Sequence, residues 1–484
     1  MAAPKPLTAC TPPALDWSRP GVPAAVNFGD IYFSTDGGLA ETEAVYLTAC
    51  GLPGRWEGRK TFTIGELGFG SGLNFLAAWR MWESARPKGG RLEFFSIEKF
   101  PFAEDELQKA LTAWPELADY SERLIARWPG RVKGIHRLHL AKDVTLTLIH
   151  DDVLSGLRAV TVKTDAWFLD GFSPAKNPDM WSTDVMKEIA RLSAPGAKIG
   201  TFTAAGMVRQ GLADAGFTVS KTQGFGRKRH RLEAIYPGQV KTEEPVVRPV
   251  IIGGGIAGTS LAASFLRRGI VPTIIDAGDG TAASGNPAAI VKPRLDLQDR
   301  PESRFFLASY LHALQAYKDV DAVISEGVFH AAKTKAELMR FEKLARYSAL
   351  PPAHMRLASG PYNTNGLSFP KAQIIDPKAA CTALSAGAMR ITGRAVRVET
   401  QGPDTKIRGK AGQVLASGTH VILALGAGVR EFQNAPNLEL RFSRGQITAA
   451  KAACETALTY GGYAVPLGDS VWISVEGVDV ILNT

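Results

Sequence analysis

The sequence predicts an α/β protein built from two successive doubly wound domains. Two glycine-rich turns, each between an apolar strand pattern and a helical pattern, occupy residues 61–75 and 250–258. Between them, residues 237–249 have the Gly, Pro, Lys and Glu content of a linker. At 484 residues the chain is too long for one ordinary core. We therefore expect two Rossmann-like domains in tandem.

Composition excludes several classes of protein. Apolar residues make up 45% and charged residues 21%, which is typical of a globular chain. The net charge of +9 suits a polyanionic partner such as nucleic acid, although so small a surplus can equally serve solubility. The four cysteines form no CxxC pair, so we expect no disulfide framework and no metal site, and a reducing cytoplasm suits them. No signal segment or apolar run of about 18 residues is visible, so we expect no membrane span.

The first glycine turn follows a predicted buried strand at residues 61–64 and leads into a helix near Leu73. Its pattern, Glu-x-Gly-x-Gly-x-Gly, is typical of turns that bind S-adenosylmethionine, and the absence of Gly-Lys-Ser/Thr excludes a P-loop. The alternative is a glycine-rich turn that binds nothing. The expected cofactor-binding residues here are Glu66, Gly68, Gly70, Gly72 and Asn74.

Acidic residues end the next two predicted strands. Glu98 ends the strand at residues 91–98, and an acid at that place accepts hydrogen bonds from a cofactor ribose in doubly wound sheets. The alternative is an exposed strand-end acid. Asp151 and Asp152 end the strand at residues 145–152 and are expected either near an adenine amino group or as caps of the next helix. The sequence does not choose between these two aspartates.

Asp170 ends a fourth strand, at residues 166–170, where ligands gather in open α/β sheets. The loop after it contains two prolines, and Phe172 and Trp181 offer flat faces for a base. We expect the methyl acceptor to bind at this loop, and the alternative is a purely structural loop.

Two further segments are candidates for contacts with a ligand. Residues 224–230 join two predicted antiparallel strands and carry four cationic or potentially cationic side chains, which suits a phosphate backbone or simply a solvated hairpin tip. Residues 27–46 mix aromatic and acidic residues and become helical near Leu39. This segment either folds over the cofactor cleft or packs on the sheet as a surface helix.

The second turn has the full G-x-G-x-x-G spacing between a strand and a helix, and the next strand ends in an acid 18 residues beyond Gly258. That combination predicts a dinucleotide site for FAD or NAD. The small-residue loop at 283–287 is placed to contact a pyrophosphate, and residues 418–427 are typical of the later strand of two-dinucleotide-domain flavoproteins. The expected cofactor-binding residues are Gly253, Gly255, Gly258, Asp276, Ser284 and Asn286.

Several of these stretches resemble one family, the bifunctional tRNA 5-methylaminomethyl-2-thiouridine biosynthesis proteins (MnmC). The stretches that resemble its N-terminal half are residues 66–75, 168–181, 201–209 and 224–229. The stretches that resemble its C-terminal flavin half are the linker and residues 253–258, 283–287, 441–446 and 460–463. The resemblance implies a methyltransferase domain at 1–238, a linker at 239–248 and a FAD-binding domain of the D-amino-acid-oxidase type at 249–484.

The resemblance also implies two successive reactions on the wobble uridine of certain tRNAs. The flavin half removes the carboxymethyl arm of 5-carboxymethylaminomethyl-2-thiouridine, and the methyltransferase half then N-methylates 5-aminomethyl-2-thiouridine. Asp170 matches the catalytic position of the family, the loop around Phe172 the base pocket, and the basic tip the anticodon-stem contact. The expected substrate-binding residues are Asp30, Tyr32, Glu41, Phe172, Pro174, Asn177, Trp181, Arg227, Lys228 and Arg229. A cytoplasmic monomer acting on the anticodon stem-loop is the expected form.

The end of the chain departs from the family pattern. Family members continue well beyond Pro466, whereas this sequence stops at Thr484. We therefore expect a shortened flavin domain that lacks the last part of its substrate sheet and a helix directed at the flavin ring. Two other hypotheses remain: a small-molecule methyltransferase fused to an amine oxidase, and a tRNA-binding protein whose flavin half is a scaffold.

Overall fold

The computed structural model describes residues 6–19, 21–34, 37–239, 246–278, 282–433, 435, 439–440, 446–452 and 454–474. The chain divides into two compact units, Met1–Glu244 with Asp299–Ala308 and Pro245–Gln298 with Ser309–Thr484. Residues 240–245 of the predicted linker, residues 441–445 of a family stretch and residues 475–484 lie outside the described residues. The domain boundaries given above stay a prediction.

The first unit is an open sheet with helices between its strands. Its strands are β1 Leu15–Asp16, β2 Ala24–Ala25, β3 Asp30–Ile31, β4 Thr61–Leu67, β5 Arg91–Ile97, β6 Gly134–Ala141, β7 Val144–His150, β8 Thr164–Leu169, β9 Ser193–Thr201, β10 Thr218–Gln223 and β11 His230–Ile235. Its α-helices are α1 Gly38–Thr42, α2 Leu73–Ala85, α3 Glu104–Leu111, α4 Ala118–Ile125, α5 Val153–Arg158, α6 Thr183–Leu192 and α7 Gly206–Asp214. A π-helix, Glu43–Thr48, continues α1.

Eight of these strands form one sheet in the order β10-β11-β9-β8-β4-β5-β7-β6. The chain order reverses beside β4, which pairs in parallel with both β5 and β8. Leu67, Ile97, Ile149 and Leu169 stand in one row across the sheet. The carboxyl ends of these strands are therefore level, and a crevice for ligands opens beyond them, as expected at a topological switch point.

The core lies on both faces of this sheet because successive strand residues point to opposite sides. Phe168 packs on one face with Phe94 and Trp79, and Trp167 packs on the other with Phe95. Both β8 aromatics have no exposed surface. Burying one such ring stabilises the fold by about 1.5–3 kcal/mol. The aromatic packing thus holds β8 in place and with it the residue that follows it, Asp170.

Three local features of this unit differ from what the sequence alone indicates. The sequence of residues 101–120 suggests one helix, but a 3-10 turn at Pro115–Leu117 separates α3 from α4, since proline restricts the residue before it and lacks an N–H donor. The antiparallel edge strand β6 has no clear sequence signal. The sequence suggests that β9 begins at residue 197, but it begins at Ser193.

The rest of the chain contains three further sheets. Its strands are β12 Pro249–Ile252, β13 Thr273–Asp276, β14 Ala289–Val291, β15 Val323–Ala331, β16 Arg356–Ser359, β17 Asn365–Ile375, β18 Met389–Thr392, β19 Ala395–Gln401, β20 Asp404–Gly409, β21 Val414–Gly418, β22 His420–Leu423, β23 Ile447–Ala450, β24 Ala457–Thr459, β25 Tyr463–Leu467 and β26 Ser470–Ser474. Its α-helices are α8 Ile256–Arg267, α9 Pro301–Asp319, α10 Lys335–Arg346 and α11 Pro377–Leu384.

The parallel sheet β18-β13-β12-β22 carries the second glycine turn. β12 lies between β13 and β22 and runs parallel to both, so the turn after β12 opens at the middle of the sheet. A second sheet orders β14-β17-β15-β24-β25-β26-β23, and β19 to β21 form a third. None of the helices among the described residues has the length and apolar character needed to cross a bilayer.

Candidate active site

A cavity of about 410 Å³ opens beyond the carboxyl ends of β4, β5, β7 and β8. Its volume lies in the range of small-molecule sites. Its walls come from residues 28–46, the first glycine turn, the strand ends at Glu98 and Asp151, and the loop after Asp170. The N-terminal segment therefore covers the cleft, which was one of its two expected placements.

The first glycine turn brings bare backbone to the cavity. Gly68 has φ +80°, and a Cβ there would lie 3.0 Å from the Cα of Gly171. Gly70 has φ +53°, and a Cβ there would lie 3.1 Å from the Tyr32 ring. Both positions combine a left-handed backbone with close neighbours, so side chains would block the approach of a ligand. The turn thus suits a cofactor lying against the backbone.

Glu98 ties this turn to the end of β5. Its Oε2 accepts a hydrogen bond from the Gly70 backbone at 2.9 Å, and its Oε1 accepts one from the Phe100 backbone at 2.8 Å. Burial raises the pKa of Glu98, and these backbone donors act in the opposite direction. A carboxylate has further lone pairs for ribose hydroxyls. The geometry is consistent with the predicted ribose role, which stays a prediction.

The two aspartates after β7 have different partners. Asp152 caps α5 by accepting hydrogen bonds from the backbone of Leu154 and Ser155. Asp151 accepts one from the backbone of Asp152 at 2.8 Å and pairs with Arg304, also at 2.8 Å. Both line the cavity. The capping alternative therefore applies to Asp152, and the adenine contact stays a prediction for either residue.

Asn74 is the centre of the hydrogen-bond network at Asp170. Its Nδ2 donates to Asp170 Oδ2 at 2.7 Å and to Glu66 Oε1 at 3.0 Å. Its Oδ1 accepts from the Thr42 hydroxyl at 2.7 Å. The other Asp170 oxygen accepts from the Gly171 backbone at 2.8 Å. Because Asn74 is itself held on both sides, the Asp170 carboxylate has a fixed orientation.

Tyr46 also donates a hydrogen bond to Asp170. Burial raises the pKa of Asp170 to about 6, although the bonds from Tyr46, Asn74 and the Gly171 backbone lower it and the charge of Glu41 raises it. Burial likewise raises the pKa of Tyr46 well above its usual value, so its hydroxyl stays protonated and donates. A carboxylate with a pKa near neutrality can take up and release a proton.

The cavity is rich in acid. Among the described residues that line it there are seven carboxylates against two lysines, Lys99 and Lys228. The carboxylates are Asp30, Glu41, Glu98, Asp151, Asp152, Asp170 and Asp179. Such a balance favours ligands that carry positive charge.

Several predicted site residues serve as supports. Glu66 is fully buried inside β4 and contacts Asn74, not the cavity. Trp181 is 2% exposed and donates its indole N–H to the Phe172 carbonyl at 3.0 Å, so it stabilises the loop and cannot present a ring face to a base. Pro174 is buried too, and Gly72 caps α2 with φ +78°. None of these four lines the cavity.

The loop after Asp170 is fastened to the N-terminal segment. Asp30 accepts a hydrogen bond from the Ser173 backbone at 3.2 Å and lies 3.5 Å from the Lys176 ammonium. Phe28 stacks on Phe172 with the ring centroids 4.4 Å apart. Asp30 therefore holds the loop, and it lines the cavity together with Tyr32, Phe172 and Asn177, whose substrate contacts stay predictions. Arg227 and Arg229 are exposed at the hairpin tip.

Many residues that line the cavity were not among the predicted site residues, and Phe28, Thr42, Tyr46 and Phe202 are four examples. Thr42 and Tyr46 are four residues apart and therefore lie on one helical face. That spacing, with Asn74 on the facing helix, was the sequence signal that could have identified them as site residues. Phe28 and Phe202 lie in the stretches 27–46 and 201–209 noted above, but only the fold shows that these two rings reach the cavity.

Replacing Tyr46 by phenylalanine tests the network. The change removes one donor that stabilises the charged form of Asp170, so the pKa of this carboxyl is expected to rise above about 6. If Asp170 acts as the catalytic base that the family resemblance implies, activity is lost as the pH falls through that pKa. The acid limb of the kcat–pH profile is therefore expected to move to higher pH in Tyr46→Phe. An unchanged limb beside a uniformly lower rate would instead mean that Tyr46 only supports the fold.

The second glycine turn is equally close-packed. A Cβ at Gly253 would lie 2.1 Å from the Ala424 carbonyl oxygen, and one at Gly258 would lie 1.9 Å from the Gly253 oxygen. Asp276 accepts a hydrogen bond from the Gly254 backbone at 2.6 Å. The Ser284 hydroxyl accepts one at 3.0 Å from the backbone of Ile256, the first residue of α8. A backbone cradle at a helix N-terminus beside a strand-end acid fits a dinucleotide, either FAD or NAD.

The roles predicted for Gly255 and Asn286 rest on position. Gly255 is the N-cap of α8 and has no side chain to occupy the place of a phosphate. Asn286 follows the short turn at Ala283–Gly285 and bonds through its backbone to the Ala283 carbonyl at 3.2 Å. Both lie on the segments that form the cradle, and their contacts with the cofactor stay predictions.

Comparison with known families gives one match in each half of the chain. Residues 115–237 match the family described as S-adenosyl-L-methionine-dependent methyltransferase. Residues 249–480 match the family described as FAD dependent oxidoreductase. These matches confirm the predicted fold class and the predicted cofactors, S-adenosylmethionine and FAD.

Similar proteins cover nearly the whole chain. The tRNA 5-methylaminomethyl-2-thiouridine biosynthesis bifunctional protein MnmC of Maricaulis maris is 41% identical over 464 residues, covering 94% of this chain and 77% of that protein. The protein of the same name from Pseudomonas aeruginosa is 40% identical over 492 residues, covering 93% and 74%. The crystal structure of MNMC2 from Aquifex aeolicus aligns at 25% identity with a TM-score of 0.37, covering 49% of this chain and 73% of that one, and a score this low carries no argument.

Proposed function

Because the chain belongs to the family of tRNA 5-methylaminomethyl-2-thiouridine biosynthesis bifunctional proteins MnmC, we propose that it modifies the wobble uridine of tRNA in two steps. The oxidoreductase unit removes the carboxymethyl arm of 5-carboxymethylaminomethyl-2-thiouridine. The methyltransferase unit then N-methylates the resulting 5-aminomethyl-2-thiouridine. The observation that carries the methylation step is a partly buried, oriented Asp170 in an acid-rich cavity beside the glycine turn.

Asp170 acts on the substrate amine in this proposal. A primary alkylamine is mostly protonated at neutral pH and then has no lone pair for attack. The Asp170 carboxylate holds this ammonium and takes its proton, while Asn74 and Tyr46 keep the carboxylate in place. S-adenosylmethionine supplies a methyl group activated by its sulfonium charge. The surrounding carboxylates stabilise both cations in one cavity.

The remaining site residues have supporting roles. Glu98 and one of Asp151 and Asp152 bind the nucleoside part of the methyl donor against Gly68 and Gly70. Phe172, Tyr32 and Asn177 contact the uridine base, which leaves the stack to reach the cavity. The exposed tip with Arg227 and Arg229 contacts the phosphates of the anticodon stem.

In the oxidoreductase unit, the backbone of Gly253 to Gly258 and the N-terminus of α8 hold the pyrophosphate of FAD, and Asp276 holds its ribose. The Ser284 hydroxyl accepts a hydrogen bond from the first N–H of α8, and in this proposal it moves to a phosphate oxygen when FAD binds. When bound, FAD would supply the two-electron oxidation of the C–N bond of the carboxymethyl arm to C=N. Hydrolysis of that C=N bond by water leaves the aminomethyl group on the base and releases the arm as glyoxylate. The same proposal places the enzyme in the cytoplasm, as a monomer acting on the anticodon stem-loop.

Mass spectrometry of tRNA nucleosides tests this function. Purified protein is incubated with tRNA that carries 5-aminomethyl-2-thiouridine and with S-adenosylmethionine alone, and we expect conversion to the methylaminomethyl nucleoside. Incubation of carboxymethylaminomethyl tRNA with FAD alone is expected to give the aminomethyl nucleoside. If neither nucleoside changes while a small amine is methylated, the protein acts on small molecules and the tRNA assignment is wrong.

A further inference from the structure

Lys228 points into the methyltransferase cavity from the tip of the β10–β11 hairpin. Its ammonium lies 3.0 Å from Glu41 Oε1 and 4.5 Å from the centroid of the Phe202 ring. Both Lys228 and Glu41 line the cavity. Lys228 is exposed, as are its neighbours Arg227 and Arg229. Lys228 thus belongs to a basic tip that we expect to contact nucleic acid, and its ammonium pairs with a carboxylate of the candidate active site.

Glu41 belongs to the same wall as the residues that orient Asp170. It lies on α1 beside Thr42, whose hydroxyl bonds Asn74, and Asn74 bonds Asp170. The Glu41 side chain is only 15% exposed. Its charge also acts on Asp170, although burial has the larger effect on the pKa of that carboxyl. Glu41 and Asp170 are therefore two acidic residues of one cavity.

The ion pair can exchange at low cost. The Lys228 side chain is 49% exposed, and a partly exposed ion pair of this kind contributes little to stability. A phosphate backbone attracts lysine strongly because binding also releases condensed counterions. Withdrawal of Lys228 alone would leave Glu41 as an unpaired and mostly buried carboxylate. An alkylammonium arriving at the same time restores the charge balance.

Resting on the methyl-transfer function above, we propose that Glu41 is a second binding group for the substrate ammonium and that Lys228 blocks it until a nucleic-acid phosphate draws the lysine away. The substrate amine can then bind Glu41 only when it is part of a nucleic acid whose phosphates draw Lys228 away. Free small amines meet a cavity whose second carboxylate is already paired. The site therefore selects an aminomethyl base within a polynucleotide over the same base as a free nucleoside.

Lys228→Met tests the proposal because it keeps the apolar stem over Phe202 and removes the charge. Methylation is measured with aminomethyl-uridine tRNA and with the free aminomethyl-uridine nucleoside, which has no phosphate. We expect kcat/KM to fall several-fold for tRNA and to rise several-fold for the nucleoside. Glu41→Gln is expected to raise KM for both substrates and to leave the affinity for S-adenosylmethionine unchanged. Lys221→Met, on the exposed face of β10, is the matched control and is expected to change neither.

A purely structural role for Lys228 would change kcat/KM for both substrates in the same direction, whereas the proposal predicts changes in opposite directions. If Lys228→Met lowers kcat/KM for both substrates by the same factor, or does not raise kcat/KM for the nucleoside, then Lys228 does not block Glu41 and the proposal is overturned. An unchanged KM in Glu41→Gln overturns it as well. If the wild-type protein methylates neither substrate, the proposed function itself fails. Thermal unfolding and S-adenosylmethionine binding of each variant confirm that the folded site is being compared.

Discussion

Asp170→Asn is expected to lower kcat for methyl transfer by about 10²–10⁴-fold. The substitution keeps the shape of the side chain but removes the charge that holds the ammonium and the oxygen that takes its proton. It also places a second amide against Asn74, whose Nδ2 now donates to Asp170 at 2.7 Å. Single-turnover methylation of aminomethyl-uridine tRNA measures the chemical step directly.

Asp184→Asn is the matched control for this experiment. Asp184 lies on α6 with 57% of its side chain exposed, and it does not line the cavity. The control is expected to methylate at the wild-type rate. S-adenosylmethionine binding should be nearly unchanged in both variants, since Asp170 is assigned to the amine. A fully active Asp170→Asn enzyme would show that the proton leaves by another route.

Gly258→Ala is expected to yield protein that has lost most of its flavin. The new methyl group would lie 1.9 Å from the Gly253 oxygen and 3.2 Å from the Ile251 side chain. The helix α8 has to move away from the turn to relieve that overlap, and its N-terminal N–H groups then no longer meet a pyrophosphate. The ratio of flavin to protein absorbance in the purified variant measures the effect.

Two further variants keep the flavin result interpretable. Gly54→Ala introduces the same methyl group at a position with no atom within 4 Å and is expected to leave the flavin ratio unchanged. Asp276→Asn weakens the ribose contact without a steric overlap and is expected to give partial flavin loss. Methyl transfer by Gly258→Ala reports whether the methyltransferase unit is intact. Full flavin content in Gly258→Ala would place the cofactor elsewhere.

Much of the site follows from strand ends. The sequence marks Gly68, Glu98 and Asp170 as the residues after apolar strands, and parallel strands bring their carboxyl ends to one edge. The structure places all three on one cavity for that reason. The same reasoning from strand ends identified the turn from Gly253 to Gly258 and the acid at Asp276. The turn packs closely because its glycines have no side chains.

The parts that could not be predicted depend on how segments turn toward each other. The helical periodicity around Leu39 did not show which face of that helix is buried. The contacts of Thr42 and Tyr46 with the Asp170 network were therefore not visible in the sequence. A glutamate inside a strand and a tryptophan in a loop give no local sign of complete burial, and Glu66 and Trp181 were accordingly expected at the cavity. Lys228 is one of three consecutive cations, and only its contact with Glu41 distinguishes it.

The most direct test of the central claim is a crystal structure with S-adenosylhomocysteine and an anticodon stem-loop that carries aminomethyl-uridine. The account predicts the cofactor sulfur beside the turn at Gly68 and Gly70, and the amine nitrogen between that sulfur and the Asp170 carboxylate. A nucleobase bound outside this cavity, or an amine that faces away from Asp170, would contradict it.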